Sequence, residues 1–284
     1  MSGWHVRPRA WTLVLLLCVA VCACQSKPRT VRLATTTSVE NSGLLAAILP
    51  AFEAKYQTKV EVLPVGSGQA LGLLKRGDVA AGLTHDPAAE AAALASGIVT
   101  GYRKIMFNDF VIVGPRDDPA GVMHAADAVD AMRRIAGAGA VFASRGDASG
   151  TYTREQDLWA LAKQRPADGW LLETGQGMSA TLRVASEKRA YTLTDRATFE
   201  QVRSGLQLAL WYEGGSALLN TYAVFLRAGL TGTDREAATT LADWLADGEG
   251  RDRVAGFLAN GRAVFTVWPT GVSRDQPTDL PHVR

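Results

Sequence analysis

Cysteine is scarce in this chain and confined to one place. Cys18, Cys22 and Cys24 are the only three, all near the N-terminus. A disulfide framework beyond that segment is excluded, so packing must carry the stability. Histidine is scarce too. Past the N-terminal segment there are His85, His124 and His282, none of them in an HExxH arrangement or a Cys/His cluster of the kind zinc takes. A GxSxG elbow and a phosphate-binding P-loop are also missing. A Ser-His-Asp triad would need His85 or His124 carried to it by the fold. Charge of one sign is not in excess either: 30 basic residues face 28 acidic ones. The segment 1–23 holds two arginines and no acid, which leaves the remainder balanced. That argues against a general nucleic-acid binder, which needs a basic face. Any recognition of charge must be local.

What is present begins with the N-terminus. Arg7 and Arg9 precede the apolar run Trp11–Ala23, which reads as a secretory signal over 1–23. The run is shorter than the ~20 residues of a comfortable membrane span. It ends in "VCAC", where Val21, Ala23 and Cys24 have the spacing of a bacterial lipobox. Cleavage before Cys24 would leave one cysteine, occupied by lipid. The alternative is an uncleaved anchor helix with incidental cysteines.

The rest of the 284 residues is enough for one large domain or two ordinary ones, and 47% hydrophobic against 20% charged marks a folded chain. Strand-like and helix-like runs alternate. "VRLAT" at 31–35 and "KVEVLPV" at 59–65 read as strands, as does "VAAGLT" at 79–84. A helix over 42–57, capped by Ser42 or Asn41, carries Pro50 inside it. Shorter helices follow at 69–75 and 87–97. This βαβαβα order implies a largely parallel sheet with helices on both faces. "FNDFVIVGPRDDPAG" at 107–121 closes the series on a turn cluster. A second α/β series follows, with helices near 127–136, 150 and 178–187. "TYAVFL" at 221–226 is a further strand, and two amphipathic helices lie near 234–246 and 248–258. The expected division is two α/β lobes joined by strands near 110–114 and 220–226. The boundaries are 1–23 signal peptide, 24–30 tether, 31–112 with 223–269 as the first lobe, and 113–222 as the second. The tail 270–284, rich in Pro, Asp and Arg, is expected to be poorly ordered.

Five turns carry the chemistry. In "LATTTSVENSGLL", Thr35, Thr36, Thr37 and Ser38 sit where a strand hands over to a helix. In an open parallel sheet, ligands bind beyond the carboxyl ends of strands, where helix N-termini favour negative charge. One hydroxyl would explain a helix cap; four in succession suggest an anion site as well. "PVGSGQALG" offers a second such turn, with Ser67 and Gly68. In "SRGDASGT", Arg145 could grip an oxyanion through parallel N–H bonds, with Asp147 holding the guanidinium. Ser149, Gly150 and Thr151 add hydroxyls and amides. The rival readings are a capped helix with a surface Arg–Asp pair, or an adhesive "RGD" loop. "ETGQGMSATL", containing Gly177, could close over a ligand. "YTLTDR" ends a strand with Thr194 and Asp195, where a helix cap and a ligand contact are equally open.

In this order, "ATTTS…NSGLL", "VGSGQAL", "NDFVIVGPRDDPAG", "SRGDASGT", "GQGM" and "YTLTDR" resemble the substrate-binding protein of the bacterial tungstate ABC transporter. The likeness runs from Val31 to Val224, with a fainter match in "ADWLADGEGRDRVAGF". The wider group is the type II periplasmic binding proteins. The resemblance implies an α/β fold of two lobes, each a mostly parallel sheet flanked by helices, joined by two hinge strands. It implies an oxyanion in the cleft, tungstate or molybdate, with no cofactor. Thr36, Thr37, Ser38 and Ser67 would be ligands from the first lobe, and Arg145, Ser149, Gly150 and Thr151 from the second. Thr35, Gly68, His85, Asp147, Gly177 and Thr194 would stand behind them, with Asp147 orienting Arg145. Phosphate carriers place an acid after the third strand; here "LTHDP" stands there. His85 is expected near the cleft and Asp86 turned toward the next helix.

The implied function is a carrier without chemistry: a lipid-anchored monomer on the periplasmic or outer face of a bacterial membrane, delivering tungstate to an ABC permease. Molybdate, sulfate or phosphate are alternative ligands. An exported α/β hydrolase of phosphate esters, using Ser149 or Ser67, is the reading from another class. A sensory or adhesive lipoprotein is another.

Overall fold

The computed structural model describes residues 29–147, 149–165 and 169–281. The segment expected to be a signal peptide, the expected lipidation residue Cys24 and His282 lie outside the described residues. The chain opens with β1 (Arg29–Thr36), α1 (Thr37–Asn41), α2 (Leu44–Tyr56), β2 (Thr58–Val65), α3 (Ser67–Arg76), β3 (Ala81–Thr84) and α4 (Pro87–Ala95). A long strand, β4 (Val99–Pro115), leads into α5 (Ala128–Gly137), β5 (Phe142–Ser144), α6 (Gly150–Ala162), β6 (Leu171–Glu173), α7 (Met178–Glu187), β7 (Thr192–Asp195), α8 (Arg196–Val202) and β8 (Leu208–Glu213). β9 (Leu219–Arg227), α9 (Gly232–Ala246), α10 (Glu249–Ala255) and the two-residue strands β10 (Leu258–Ala259), β11 (Arg262–Ala263) and β12 (Thr266–Val267) complete it.

In the first lobe β2, β1 and β3 run parallel, while β9 lies antiparallel to β3 and β4 antiparallel to β9. The register pairs Thr36 with Val65 and Thr35 with Leu83. The three parallel strands therefore end level, and the turns beginning at Thr36, Val65 and Thr84 open on one edge. Helices cover both faces. On one, Phe52 and Trp244 meet at 5.3 Å between ring centroids, packed with Leu33 and Leu241. On the other, Leu74, Ala93 and Phe225 pack from α3, the α4 helix and the sheet.

The second lobe is built around the far half of β4. β7 and β8 pair antiparallel with it, and β5 runs parallel to β6. Its two faces are sealed by Ile112, Met132, Phe142 and Trp159 on one side and by Val113, Leu182 and Phe199 on the other. β4 thus threads both lobes: Asp109 pairs with Leu219 of the first sheet, and the next residue, Phe110, pairs with Asp195 of the second. The change of partner falls a few residues before the expected 112/113, and β9 joins the first sheet at Leu219, before the expected 222/223.

Two local expectations are revised. The helix predicted over 42–57 is present as α2, but its cap is Gly43, with a φ of 77°, in place of Ser42 or Asn41, and a separate short helix, α1, precedes it directly after Thr36. Ser42 bridges the two helices, donating to the Val39 carbonyl at 2.6 Å and accepting from the Leu44 amide at 3.2 Å. The tail is not loose over 270–281. Buried Lys104 donates from Nζ to the carbonyl of Pro277 at 2.7 Å and to that of Asp279, and the Lys104 amide donates to the Arg274 carbonyl. A charged donor under the strap gives this polar segment a fixed place that composition does not reveal. Among the described residues no helix is long and apolar enough to cross a membrane.

Candidate oxyanion-binding site

The level strand ends deliver the turns to one cleft. Thr35 finishes β1 and donates inward to the Leu83 carbonyl at 2.9 Å. Thr36 caps α1, its hydroxyl accepting from the Val39 amide at 3.2 Å. One hydroxyl therefore does what a cap requires. Thr37 Oγ1 and Ser38 Oγ are buried and make no hydrogen bond. Ser67, the first residue of α3, is likewise buried with an unpaired hydroxyl, while Gly68 is exposed on the next position. His85 ends the third turn with both ring nitrogens unpaired, its ring 5.0 Å from that of Tyr222.

The second lobe answers with Arg145, which follows β5 and is buried. Asp147 pairs with its Nη2, and its Nε is unpaired. Ser149 caps α6 by accepting from the Tyr152 amide at 3.1 Å. Gly150 and Thr151 open that helix, and the buried Thr151 hydroxyl has no partner. Gly177 caps α7, close enough to Thr37 that a Cβ there would stand 3.7 Å from Thr37 Oγ1. The Thr194 hydroxyl, in contrast, is spent on the Asp195 carbonyl at 3.1 Å.

The lobes touch across the cleft. Thr198 donates to the Ser38 carbonyl at 3.4 Å, and Thr153 to Asp86 Oδ2 at the same distance. Asp86 also caps α4 through Oδ1, which accepts from Ala89 at 3.1 Å. His85 and Asp86 therefore divide as the sequence suggested, with His85 inward. A cavity of about 160 Å³ lies where His85, Asp86, Gly150 and Thr153 meet. A larger one, about 590 Å³, borders Asp109 and Arg196, and neither cavity is lined by Arg145, Thr37, Ser38, Ser67 or Thr151. Chemistry, not volume, picks out the site.

Each buried polar group without a partner costs about 1–3 kcal/mol. Thr37, Ser38, Ser67, His85, Arg145 and Thr151 together would cost as much as a whole domain's stability, roughly 5–15 kcal/mol. Such a concentration is tolerable where a ligand meets the groups. The hydroxyls and the guanidinium can donate, and one fixed positive charge is set among them, so the ligand they fit is a small anion rich in acceptors. His85 is held neutral, its pKa pushed down to about 4, first by burial and then by the Arg145 charge.

Sequence reading missed part of the surround. Asn220 donates to Asn108 Oδ1 at 2.9 Å and to the Tyr222 hydroxyl at 2.7 Å. Two amides on otherwise apolar strands were the available signal. Among the described residues no group of His, Cys, Asp and Glu is arranged to hold a metal ion.

The family model described as PBP superfamily domain matches residues 24–249. The tungstate-binding protein TupA of Peptoclostridium acidaminophilum is 35% identical over 227 residues, covering 75% of this chain and 79% of that one. Among solved structures, the tungstate ABC transporter protein from Geobacter sulfurreducens is 39% identical with a TM-score of 0.75, covering 82% of this chain and 100% of its own. The tungstate-binding protein TupA from Desulfovibrio alaskensis G20 is 35% identical with a TM-score of 0.73, covering 84% and 98%. The chain belongs to the PBP superfamily, in the family of these binding proteins.

Proposed function

We propose that this chain captures tungstate in its interlobe cleft and delivers it to an ABC permease. The observation that carries the reading is the set of unpaired buried polar groups in turns of both lobes, Arg145 among them, where Gly150 meets His85, Gly177 meets Thr37 and Thr198 meets Ser38 across the cleft. The relatives' names supply the ion. In this reading the first lobe spans 29–109 and 219–281, the second 110–218, and the anion bridges them so that closure is a hinge motion about β4 and the entry to β9. Thr37, Ser38, Ser67, Arg145, Gly150 and Thr151 contact the anion, with Thr36 and Ser149 offering the protons their caps leave over. Asp147 orients Arg145. The protein carries out no catalysis. It works as a monomer outside the cytoplasm, tethered by lipid on Cys24.

Calorimetric titration with tungstate, molybdate, sulfate and phosphate tests this, alongside Arg145→Ala and Arg145→Lys. Tungstate should bind far more tightly than about 1 mM, raise the melting temperature by mass action, and lose most of its affinity in Arg145→Ala. Binding no tighter than millimolar, or undiminished in a folded Arg145→Ala, overturns the reading.

A further inference from the structure

Asp195 stands at the end of β7 and caps α8. Its Oδ1 accepts from the Thr198 amide at 2.9 Å, which is all that a cap needs. Its Oδ2 is fully buried and has no hydrogen-bond partner. The polar groups near the carboxyl are Ser38 from α1, Arg145 from the loop after β5, Thr198 from its own helix and Tyr222 from β9. Phe110 of β4 lies beside it in register, with the His85 ring 6.2 Å from the Phe110 ring. Ser38 and Arg145 are members of the anion cluster, so the spare oxygen opens on the same site.

Charge decides the protonation of that oxygen. The site has one guanidinium, and Asp147 already pairs with it. His85 is neutral there. A dianion beside an ionised Asp195 would leave a buried excess of negative charge with no cation to meet it. A protonated carboxyl removes one charge and turns an acceptor into a donor. Burial pushes the Asp195 carboxyl up from its ordinary range even against the Thr198 hydrogen bond and the Arg145 charge that draw it down.

We propose, on the reading of the cleft as an oxyanion carrier site, that Asp195 is a specificity-determining residue that enters the cage protonated, its Oδ2–H donating to the bound dianion. Opening the cleft admits water and returns the carboxyl to its ionised form. Closing on the anion draws one proton from solvent onto Oδ2, with no other bond made or broken. Anion capture is then proton-coupled, and a tetrahedral dianion able to accept this hydrogen bond is favoured over a monoanion that does not offset the uptake.

Calorimetry with sodium tungstate in two buffers of different ionisation heat, between about pH 6 and pH 9, measures the uptake directly. Proton uptake should approach one per anion, with affinity falling by up to tenfold per pH unit. Asp195→Asn keeps the cap oxygen and offers an amide N–H in place of the acid proton. It should bind tungstate with no proton uptake and a flat pH profile. Wild-type uptake near zero with flat affinity overturns the proposal, and so does an unchanged slope, or lost binding, in a folded Asp195→Asn. If that variant fails to fold, wild-type uptake decides alone. Tight tungstate binding without uptake leaves the carrier reading standing and the proposal fallen. Uptake with molybdate or sulfate but no tungstate binding does the reverse, and silence toward all three overturns both.

Discussion

Gly150 of one lobe lies against His85 of the other, so close that a Cβ on the glycine would stand 2.8 Å from the His85 carbonyl oxygen and 3.1 Å from its Nδ1. The first is a backbone atom and cannot swing aside. The glycine is thus part of the seam along which the cleft closes.

Gly150→Ala should therefore fold normally, since alanine suits the first turn of a helix, yet resist closure. Tungstate affinity should fall by at least tenfold. Small-angle scattering should show less compaction on adding the anion than in the wild type. A variant that binds and compacts like the wild type would show that the seam opens without cost.

His85 should make the protein less stable as acid is added. Its folded pKa of about 4 lies below its unfolded 6.5, so between these values the unfolded chain holds more protons. Stability then falls as pH drops through that window, by about 3 kcal/mol from this group. In a Glu155→Gln background, which removes an opposing carboxyl that titrates in this window, His85→Asn should reduce that loss in denaturant titrations from pH 7 to pH 4.

Glu155 acts in the opposite sense. It is buried under β5, accepting from the Ser144 hydroxyl at 2.8 Å, and burial pushes its pKa up to about 7. The folded state holds its proton while the unfolded state has released it, so this group's contribution is complete at low pH and is lost as pH rises toward 7. In the wild type it masks His85. Glu155→Gln should uncover the acid loss and raise stability above pH 7, by about 1–3 kcal/mol in the same titrations.

Lys104 should govern the C-terminal strap. Removing its ammonium in Lys104→Met leaves the Pro277 and Asp279 carbonyls without their donor, at about 1–3 kcal/mol. Hydrogen exchange of the amides over 274–281 should speed up, while that of β1 and β3 stays unchanged. Burial also lowers the lysine's pKa to about 8, so the wild type should gain stability as pH rises from there toward 10.5, and the variant should not.

Much of the candidate site is legible in the sequence because local chemistry marks it. Thr37, Ser38 and Ser67 lie just after strands, where parallel-sheet topology places ligands, Thr151 opens a helix, and Arg145 has its own partner two residues on. For Thr36 and Ser149 the sequence left the role open, because a hydroxyl at such a junction serves equally as a cap, and both do cap. Asp195 could be read either way. Asn108, Asn220 and Tyr222 meet only because β4 and β9 pair, a contact spanning more than a hundred residues.

The sequence by itself determined the alternation of strands and helices, the lack of cysteine beyond residue 24, and the turns whose hydroxyls and amides outnumber what capping requires. These are matters of periodicity and of residue chemistry within a few positions. Only the tertiary structure decided that β1, β2 and β3 end level, that β4 passes from one sheet to the other between Asp109 and Phe110, and that the tail is pinned by Lys104. It also decided which hydroxyls are left without partners. Register and burial depend on long-range pairing, and a donor's partner is set by whatever the fold brings beside it.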